Sequence, residues 1–176
     1  MYIWAGCKLP GDFEAAVRSR CLELNQKVGL DTVAFLLPQH VSLKISFQSE
    51  KYQEILDYLT DFLSRQAPFS LRIQNPEQAG SILWMPVEEN RHLRQLHDSL
   101  DLKLEQQFGI PQHAFDKCFL FHSTLFMDLD TDKIAKMRRL LEPYPIEREL
   151  QVDTFLLGLS ETGKPGTYRV VREIKV

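Results

Sequence analysis

His40-Val41-Ser42-Leu43 recurs in the second half of the chain as His122-Ser123-Thr124-Leu125. Both stretches consist of a histidine, any residue, a hydroxyl residue and a leucine. Successive side chains of a β-strand point to opposite faces, so a histidine and the hydroxyl residue two positions later lie side by side. Each stretch, as a strand, therefore presents one imidazole beside one hydroxyl. We refer to the two stretches as the first and the second motif.

The residues around the first motif predict a half-buried strand. From His40 to Phe47 polar and apolar side chains alternate, and the polar face carries His40, Ser42, Lys44 and Ser46. Strict alternation over this length is typical of a strand with one face in solvent. The ammonium group of Lys44 is then either a contact for a substrate phosphate or a solvated charge at the sheet edge.

The second motif lies in a predicted strand over residues 118–128 that is apolar on both faces for part of its length. This pattern indicates a more central position in its sheet. Phe126 is predicted to share a face with His122 and Thr124, where its ring can stack on a nucleobase or pack in the core. Ser123 is predicted to point inward.

Two imidazoles on facing strands can supply one general base and one general acid. Hydrolysis of a phosphodiester without a metal needs such a pair, so His40 and His122 are the candidate catalytic residues. His113 lies in the loop before the second motif and is a candidate for the rim of the same cleft. The remaining histidines, His92 and His97, fall in a predicted helix and are interpreted as surface or half-buried residues.

The motif pair resembles the two-histidine phosphoesterase superfamily, which includes RNA 2′,3′-cyclic phosphodiesterases and the proteins called 2′-5′ RNA ligases. In that family the two histidines face each other in a groove between two lobes, and the motif hydroxyls hold the phosphate. The resemblance therefore implies that His40 and His122 are catalytic and that Ser42 and Thr124 bind phosphate.

The chain departs from the family pattern at two places. Ser123 stands where the family prefers an apolar residue after the histidine. Many ligase-like members carry basic residues after the second motif, whereas Phe126, Met127 and Asp128 follow it here. The second departure disfavours the ligase subgroup and a long RNA substrate.

The predicted helices and strands occur in an order that is repeated. Strand, helix, motif strand, helix and strand follow one another in residues 1–78 and again in residues 79–176, and Ile3-Trp4 and Leu83-Trp84 open the two sets. This duplication predicts an α+β fold of two pseudo-symmetric lobes, with antiparallel sheets lining a central cleft and helices outside. We expect residues 1–176 to form one domain, in which strands can cross between the lobes. The helices are predicted over residues 13–28, 52–63, 93–108 and 134–141, and strands over residues 2–8, 69–73, 81–85, 148–157 and 167–174 in addition to the motif strands.

The composition is that of an ordinary globular chain of 176 residues, with 44% hydrophobic and 26% charged residues. The net charge of -3 gives no general attraction to a nucleic-acid backbone, so long nucleic acid is not an expected partner. The three cysteines lack metal-ligand spacing, which indicates reduced thiols. No apolar stretch has the length of a membrane span. We expect a monomeric, cytoplasmic protein.

Two other kinds of phosphate chemistry are disfavoured. Residues Gly158–Pro165 nearly fit a phosphate-binding loop, but Pro165 occupies the place of the hydroxyl residue that binds magnesium, and a strand pattern follows in place of a helix. This segment is predicted to be the turn of a C-terminal hairpin. No metal-ligand motif is present, so we expect neither a metal nor another cofactor.

The predicted function is that of a metal-independent phosphodiesterase that opens a 2′,3′-cyclic phosphate on a nucleotide or an RNA end, with ligation as the reverse reaction. Two alternatives stay open from the sequence. One is a phosphodiesterase of a small cyclic oligonucleotide or of ADP-ribose cyclic phosphate. The other is an inactive module of the same fold that binds a nucleotide, which ranks lowest because both histidines and both hydroxyls are present.

Overall fold

The computed structural model describes all of residues 1–176 and contains ten β-strands, four α-helices and two short 3-10 helices. The elements are β1 Tyr2–Lys8, α1 Gly11–Asn25, β2 His40–Ser42, β3 Phe47–Gln48, α2 Tyr52–Ser64, β4 Phe69–Ile73, β5 Glu77–Ala79, β6 Ile82–Pro86, α3 Arg91–Phe108, β7 His122–Met127, α4 Thr131–Leu141, β8 Arg148–Val152, β9 Thr154–Ser160 and β10 Arg169–Lys175. The 3-10 helices are Val33–Leu36 and Asp116–Cys118.

The first motif lies at the edge of a sheet built around β1. Antiparallel strands follow one another in the order β10-β9-β1-β2, and the short β3 also pairs with β1. The longest uninterrupted register joins β1 to β9, from Tyr2 opposite Ser160 to Cys7 opposite Phe155. Because β1 is paired on both sides, its central residues are buried.

The second motif lies at the edge of the other sheet. Strands β5, β6 and β7 pair in that order, β4 pairs with β8, and a bridge between Ile73 and Val87 joins the two sets. Strands from the two halves of the sequence are therefore mixed, since β1 pairs with β9 and β4 with β8. The predicted α+β fold with antiparallel sheets is confirmed.

The expectation that the second motif strand is central in its sheet is wrong. Strand β7 pairs only with β6. Its other side contacts β2 and the 3-10 helix Val33–Leu36. These contacts cover the free edge of β7. Leu125 and Phe126 are both fully buried although they are neighbours in the strand, which explains why its sequence is apolar at consecutive positions.

The four predicted helices are present, and local signals account for the ends of α3. The side chain of Asn90 accepts a hydrogen bond of 3.0 Å from the N–H of Leu93, as an N-cap residue does. The helix ends at Gly109, whose φ of 66° is left-handed and favours glycine.

Helix α1 ends at Asn25, earlier than predicted. The side-chain oxygen of Asn25 accepts the N–H of Leu30 at 2.8 Å, and its amide group donates to the carbonyl of Leu30 at 2.9 Å. This buried pair of bonds closes the turn that follows the helix, in which Gly29 has a φ of 75°.

Three predicted strands differ from the observed ones. The strand predicted over residues 40–47 is split into β2 and β3, and the buried Lys44 lies between the two. The strand predicted over residues 148–157 is divided at Asp153, because β8 pairs with β4 and β9 pairs with β1, so the chain changes sheets there. The second motif strand begins at His122, since residues 116–118 form a 3-10 helix.

A single cluster of 39 buried residues connects both sheets with all four helices. The two motif strands lie side by side at the edges that the sheets present to each other. None of the helices combines the length and the apolar character that crossing a membrane requires.

The close approach of Trp4 to Gly158 predicts that a larger residue at position 158 is destabilising. A Cβ atom on Gly158 would lie 2.6 Å from Cε3 of Trp4, well inside contact distance. We expect Gly158→Ala to displace the indole and to lower the free energy of unfolding by about 1–3 kcal/mol. The measurement is urea unfolding. Gly11→Ala is the control, because a Cβ there meets no atom within 4 Å; equal stability of both variants would contradict the tight packing of Trp4.

Candidate active site

A cleft with a volume of about 350 Å³ lies where the two motif strands meet. It is lined by β2 and β7, by the 3-10 helix Val33–Leu36 and by the turn between β9 and β10. The structure brings five of the sequence-predicted residues together along this cleft: His40, Ser42, Lys44, His122 and Thr124.

The two motif histidines are oriented in the same way. Nδ1 of His40 lies 2.7 Å from the carbonyl oxygen of Pro38, and Nδ1 of His122 lies 2.7 Å from that of Leu120. A carbonyl oxygen only accepts, so in each ring Nδ1 carries the hydrogen and Nε2 keeps its lone pair. Neither Nε2 has a hydrogen-bond partner within the protein, so both are available to a ligand in the cleft.

A tryptophan packs against each histidine. The ring centroids of Trp4 and His40 are 4.2 Å apart, and those of Trp84 and His122 are also 4.2 Å apart. These are the tryptophans of the two repeated openings, and each lies on the strand that pairs with its motif strand. The two motifs are therefore alike in the tryptophan that packs on each histidine as well as in sequence.

The motif hydroxyls differ in their contacts. Nε1 of Trp4 donates to Oγ of Ser42 at 3.2 Å. This bond uses a lone pair of the serine and leaves its hydrogen free to donate to a ligand. Thr124 lines the cleft without a hydrogen bond from its hydroxyl to another residue.

A family model described as the 2′-5′ RNA ligase superfamily matches residues 15–163. The chain belongs to this superfamily. The resemblance inferred from the two motifs is therefore confirmed. No curated protein sequence matches the chain.

Solved structures share the fold over the whole chain. TT0787 of Thermus thermophilus has a TM-score of 0.71 at 21% identity, covering 99% of this chain and 97% of that one. A protein described as a phosphoesterase has a TM-score of 0.62 at 17% identity, with 99% and 98% covered. Apo LigT of E. coli has a TM-score of 0.61 at 18% identity, with 99% and 96% covered. The chain thus shares its fold with these structures over nearly its whole length.

Burial sets the protonation of both histidines in this superfamily member. It lowers the pKa of His40 to about 4; the bond to Pro38 opposes this shift, and the nearby ring of His122 adds to it. Burial also lowers the pKa of His122, and the bond to Leu120 opposes the shift. In the free protein at neutral pH, both imidazoles are therefore uncharged.

The expectation that Lys44 lies on the wet face of its strand is wrong. Its ammonium group is buried and donates to Asp101 and, at 2.8 Å, to Asp116. Asp116 also accepts the N–H of Ile45 at 3.3 Å. The chain leaves the sheet after Ser42 to make these bonds, which explains why the predicted strand is split. Lys44 therefore offers no free charge to a substrate.

Burial and hydrogen bonding shift the pKa of Asp116 in opposite directions. Burial by itself raises the pKa of this carboxyl group. The hydrogen bond from Lys44 and the N–H groups of His113 and Ile45 outweigh burial, so the pKa of Asp116 lies below its usual value. The group is thus a buried carboxylate paired with a buried ammonium.

Phe126 does not share a face with His122 and Thr124, contrary to expectation. The register between β6 and β7 shifts so that Leu125 has no partner, which is a β-bulge. The bulge reverses the alternation, so Phe126 is fully buried and Met127 lines the cleft in its place. A nucleobase in the cleft therefore cannot stack on Phe126.

Two further histidines lie elsewhere than expected. His113 is exposed and outside the cleft, with Nδ1 accepting the N–H of Phe115 at 3.2 Å, so it does not form the rim. His97 is fully buried, not at the surface of its helix: its ring nitrogens lie 2.6 Å from the carbonyl of Leu43 and 3.2 Å from that of Asp116.

The sequence did not predict one hydrogen-bonded pair of polar side chains in the cleft. The hydroxyl of Tyr168 donates to Oγ of Ser46 at 2.8 Å, and both residues line the cleft. Ser46 could have been found, because it lies on the predicted polar face of the first motif strand. Tyr168 could not, because it follows the hairpin turn and reaches the cleft only through the pairing of β9 with β10.

One group of side chains has metal-ligand character. His97, Asp101 and Asp116 place one ligand atom each within 4.8 Å of one another. The ammonium group of Lys44 bonds to both carboxylates and so occupies the place of a cation between them. The group therefore fits an ammonium ion and not a metal ion.

The low pKa of His40 predicts a loss of stability in acid. The pKa of His40 is about 6.5 in the unfolded chain and about 4 in the folded protein. The contribution of this difference to the free energy of unfolding is therefore fully present above pH 6.5 and is lost as the pH falls toward 4. We expect this residue to contribute about 1–3 kcal/mol of that loss. The measurement is urea unfolding at pH 7 and pH 4.5 for the wild type and His40→Gln. The free energy of unfolding should differ less between the two pH values in the variant than in the wild type. An equal difference in the two proteins would contradict the low pKa of His40.

Proposed function

We propose that this chain is a metal-independent phosphodiesterase that opens a 2′,3′-cyclic phosphate on a nucleotide or an RNA end. One observation carries the proposal. Two imidazoles, one from each motif, line one cleft with Nδ1 bound to the backbone and Nε2 without a partner. Such a pair can remove a proton on one side of a phosphate and supply a proton on the other.

In the proposed reaction His40 is the general base and His122 the general acid. Nε2 of His40 takes a proton from water as the water oxygen forms a bond to phosphorus. The bond from phosphorus to one ribose oxygen breaks, and Nε2 of His122 gives that oxygen a proton. The product is a phosphate monoester with a free ribose hydroxyl. We assign the base to His40 because its pKa is lowered to about 4, so this ring stays neutral over the wider pH range.

The proposed role of Ser42 and Thr124 is to donate hydrogen bonds to the non-bridging phosphate oxygens. Negative charge on these oxygens grows in the transition state, so fixed donors lower the barrier. The bond from Trp4 to Oγ of Ser42 supports this role, because it leaves the serine hydrogen for the phosphate.

The proposed substrate is small and carries one negative charge at the reacting phosphate. The cleft volume of about 350 Å³ is in the range of a single small ligand. The one lysine that lines the cleft is paired with two aspartates, and no arginine lines it. E. coli LigT has been crystallised with 3′-AMP, a nucleoside monophosphate, and a ligand of this size is compatible with the cleft.

A cleft without an unpaired lysine or arginine is also compatible with one alternative class of substrate. A small cyclic oligonucleotide or ADP-ribose cyclic phosphate would present a similar phosphodiester.

We retain the predictions of a monomer and of a cytoplasmic location, the latter supported by three cysteines that are not in disulfides. Ligation would use the same groups, with the 5′-hydroxyl of a second RNA end in place of the attacking water. Its reverse is cleavage of the joined linkage back to a cyclic phosphate, not hydrolysis.

Removal of either imidazole should abolish most of the turnover. We expect His40→Ala and His122→Ala each to lower kcat by about 10²–10⁴-fold with little change in binding, because acid and base act in the transition state. The double variant should be little worse than either single one, because the two residues act as a unit. Ser42→Ala and Thr124→Ala should each cost only about tenfold, the loss of one hydrogen bond.

These variants are measured by single-turnover and steady-state kinetics on 2′,3′-cyclic AMP. If the losses from the two histidine variants multiply in the double variant, or if one histidine is dispensable, the two motifs do not form one catalytic site.

The pH dependence should show an optimum on the acid side of neutrality. As the pH falls from 8, kcat/KM should rise because more of His122 carries a proton, and it should fall again toward pH 4 because His40 then gains one. Activity should be unchanged in EDTA, since the proposed reaction uses no metal. Loss of activity in EDTA that a divalent ion restores would refute the mechanism.

A substrate panel separates the alternatives. The wild type is incubated with 2′,3′-cyclic mononucleotides, an RNA oligonucleotide ending in a cyclic phosphate, cyclic dinucleotides and ADP-ribose cyclic phosphate. We expect the cyclic mononucleotides to be opened with a higher kcat/KM than the oligonucleotide. Binding of 3′-AMP without hydrolysis of any member of the panel would instead indicate the inactive module.

A further inference from the structure

Gln39 and Ser123 form a hydrogen bond directly behind the two motif histidines. Gln39 precedes His40 in the chain, and Ser123 follows His122. Oγ of Ser123 donates to Oε1 of Gln39 at 2.9 Å. Both residues are almost completely buried, with 2% and 1% of their surface exposed.

The pleat of the strands explains why this bond lies behind the histidines. Neighbouring residues of a strand point to opposite faces, so Gln39 and Ser123 point into the protein while His40 and His122 point into the cleft. Consecutive Cα atoms are about 3.8 Å apart. His40 and His122 are therefore each one peptide unit away from a residue that forms the hydrogen bond.

No other hydrogen bond links these two strands directly. β2 pairs with β1, and β7 pairs with β6, so the two motif strands belong to different sheets and share no backbone ladder. The remaining contact between them is packing. Packing is non-directional, whereas a hydrogen bond fixes a donor and an acceptor at a defined distance.

We propose that the Gln39–Ser123 hydrogen bond is a positioning device that sets the separation of His40 and His122. This inference rests on the proposed function, in which both imidazoles act on one phosphate. Acid and base must then hold the same phosphate between them, and small displacements of either ring lower the rate strongly. It also gives a reason for Ser123, which stands where an apolar residue is expected in the superfamily. Gln39 and Ser123 are positioning residues, since neither lines the cleft.

A double-mutant cycle separates positioning from stability. The variants are Ser123→Ala, Gln39→Leu and the double variant. Each single variant leaves one buried polar group without its partner and should lower Tm. The double variant removes both groups, so its Tm should return toward that of the wild type. For the proposed reaction, kcat should fall at least tenfold in all three variants, while KM should change by less than about threefold.

The chain offers a matched control for this cycle. Oγ of Ser70 donates to Oε1 of Gln151 at 3.0 Å, which is the same pair of groups, on an exposed face between β4 and β8. We expect Ser70→Ala with Gln151→Leu to leave kcat unchanged. A double variant of Gln39 and Ser123 that recovers both Tm and kcat would overturn the proposal, because the bond would then be only structural.

A second measurement needs no substrate and no activity. The titration of His40 is followed by NMR in the wild type and in the folded double variant. Burial lowers the pKa of His40 in the wild type, and the nearby ring of His122 adds to this shift. A looser pair, with the rings farther apart and more hydrated, should therefore raise the pKa of His40 in the variant. An unchanged titration would overturn the positioning role. A wild type inactive on every cyclic phosphate would refute the proposed function instead, and the titration would still decide the positioning role.

Discussion

The hydrogen bond from Nδ1–H of each motif histidine to the carbonyl two residues earlier is the interaction on which the site depends. It fixes the tautomer and helps to orient the ring through a residue only two positions away. The bond is possible because Pro38 and Leu120 lie just before β2 and β7, where the strand ladders have not yet begun and these carbonyls are free. A histidine at the first position of an edge strand is thus oriented by the place where the strand starts.

The support of the two rings is symmetric in shape but not in polar contacts. Each imidazole packs against a tryptophan at the same centroid distance. Nε1 of Trp4 donates to Ser42, whereas Nε1 of Trp84 is buried without a partner. The two histidines are therefore packed alike and still have different surroundings, as the different roles that we propose for them require.

Local sequence signals predicted the parts of the fold that local interactions decide. Helix α3, which ends at Gly109, and strand β1 follow from periodicity and capping. The wrong predictions concern side chains whose orientation depends on residues far away in the sequence. Lys44 is drawn inward by Asp101 and Asp116, which follow it by more than fifty residues, and Phe126 is turned inward by a bulge that only the pairing with β6 reveals.

The burial of Lys44 has a consequence for charge in the cleft. Its ammonium group is neutralised by two carboxylates, so a phosphate in the cleft meets hydroxyl groups and imidazoles but no free lysine or arginine. A negative charge placed beside an imidazole raises its pKa, and in this cleft a proton on an imidazole is the available counter-charge. Burial keeps both histidines neutral in the free protein. Binding of a phosphate monoanion would therefore be accompanied by uptake of a proton by an imidazole. In the proposed reaction, the general acid would then form only when the substrate is bound.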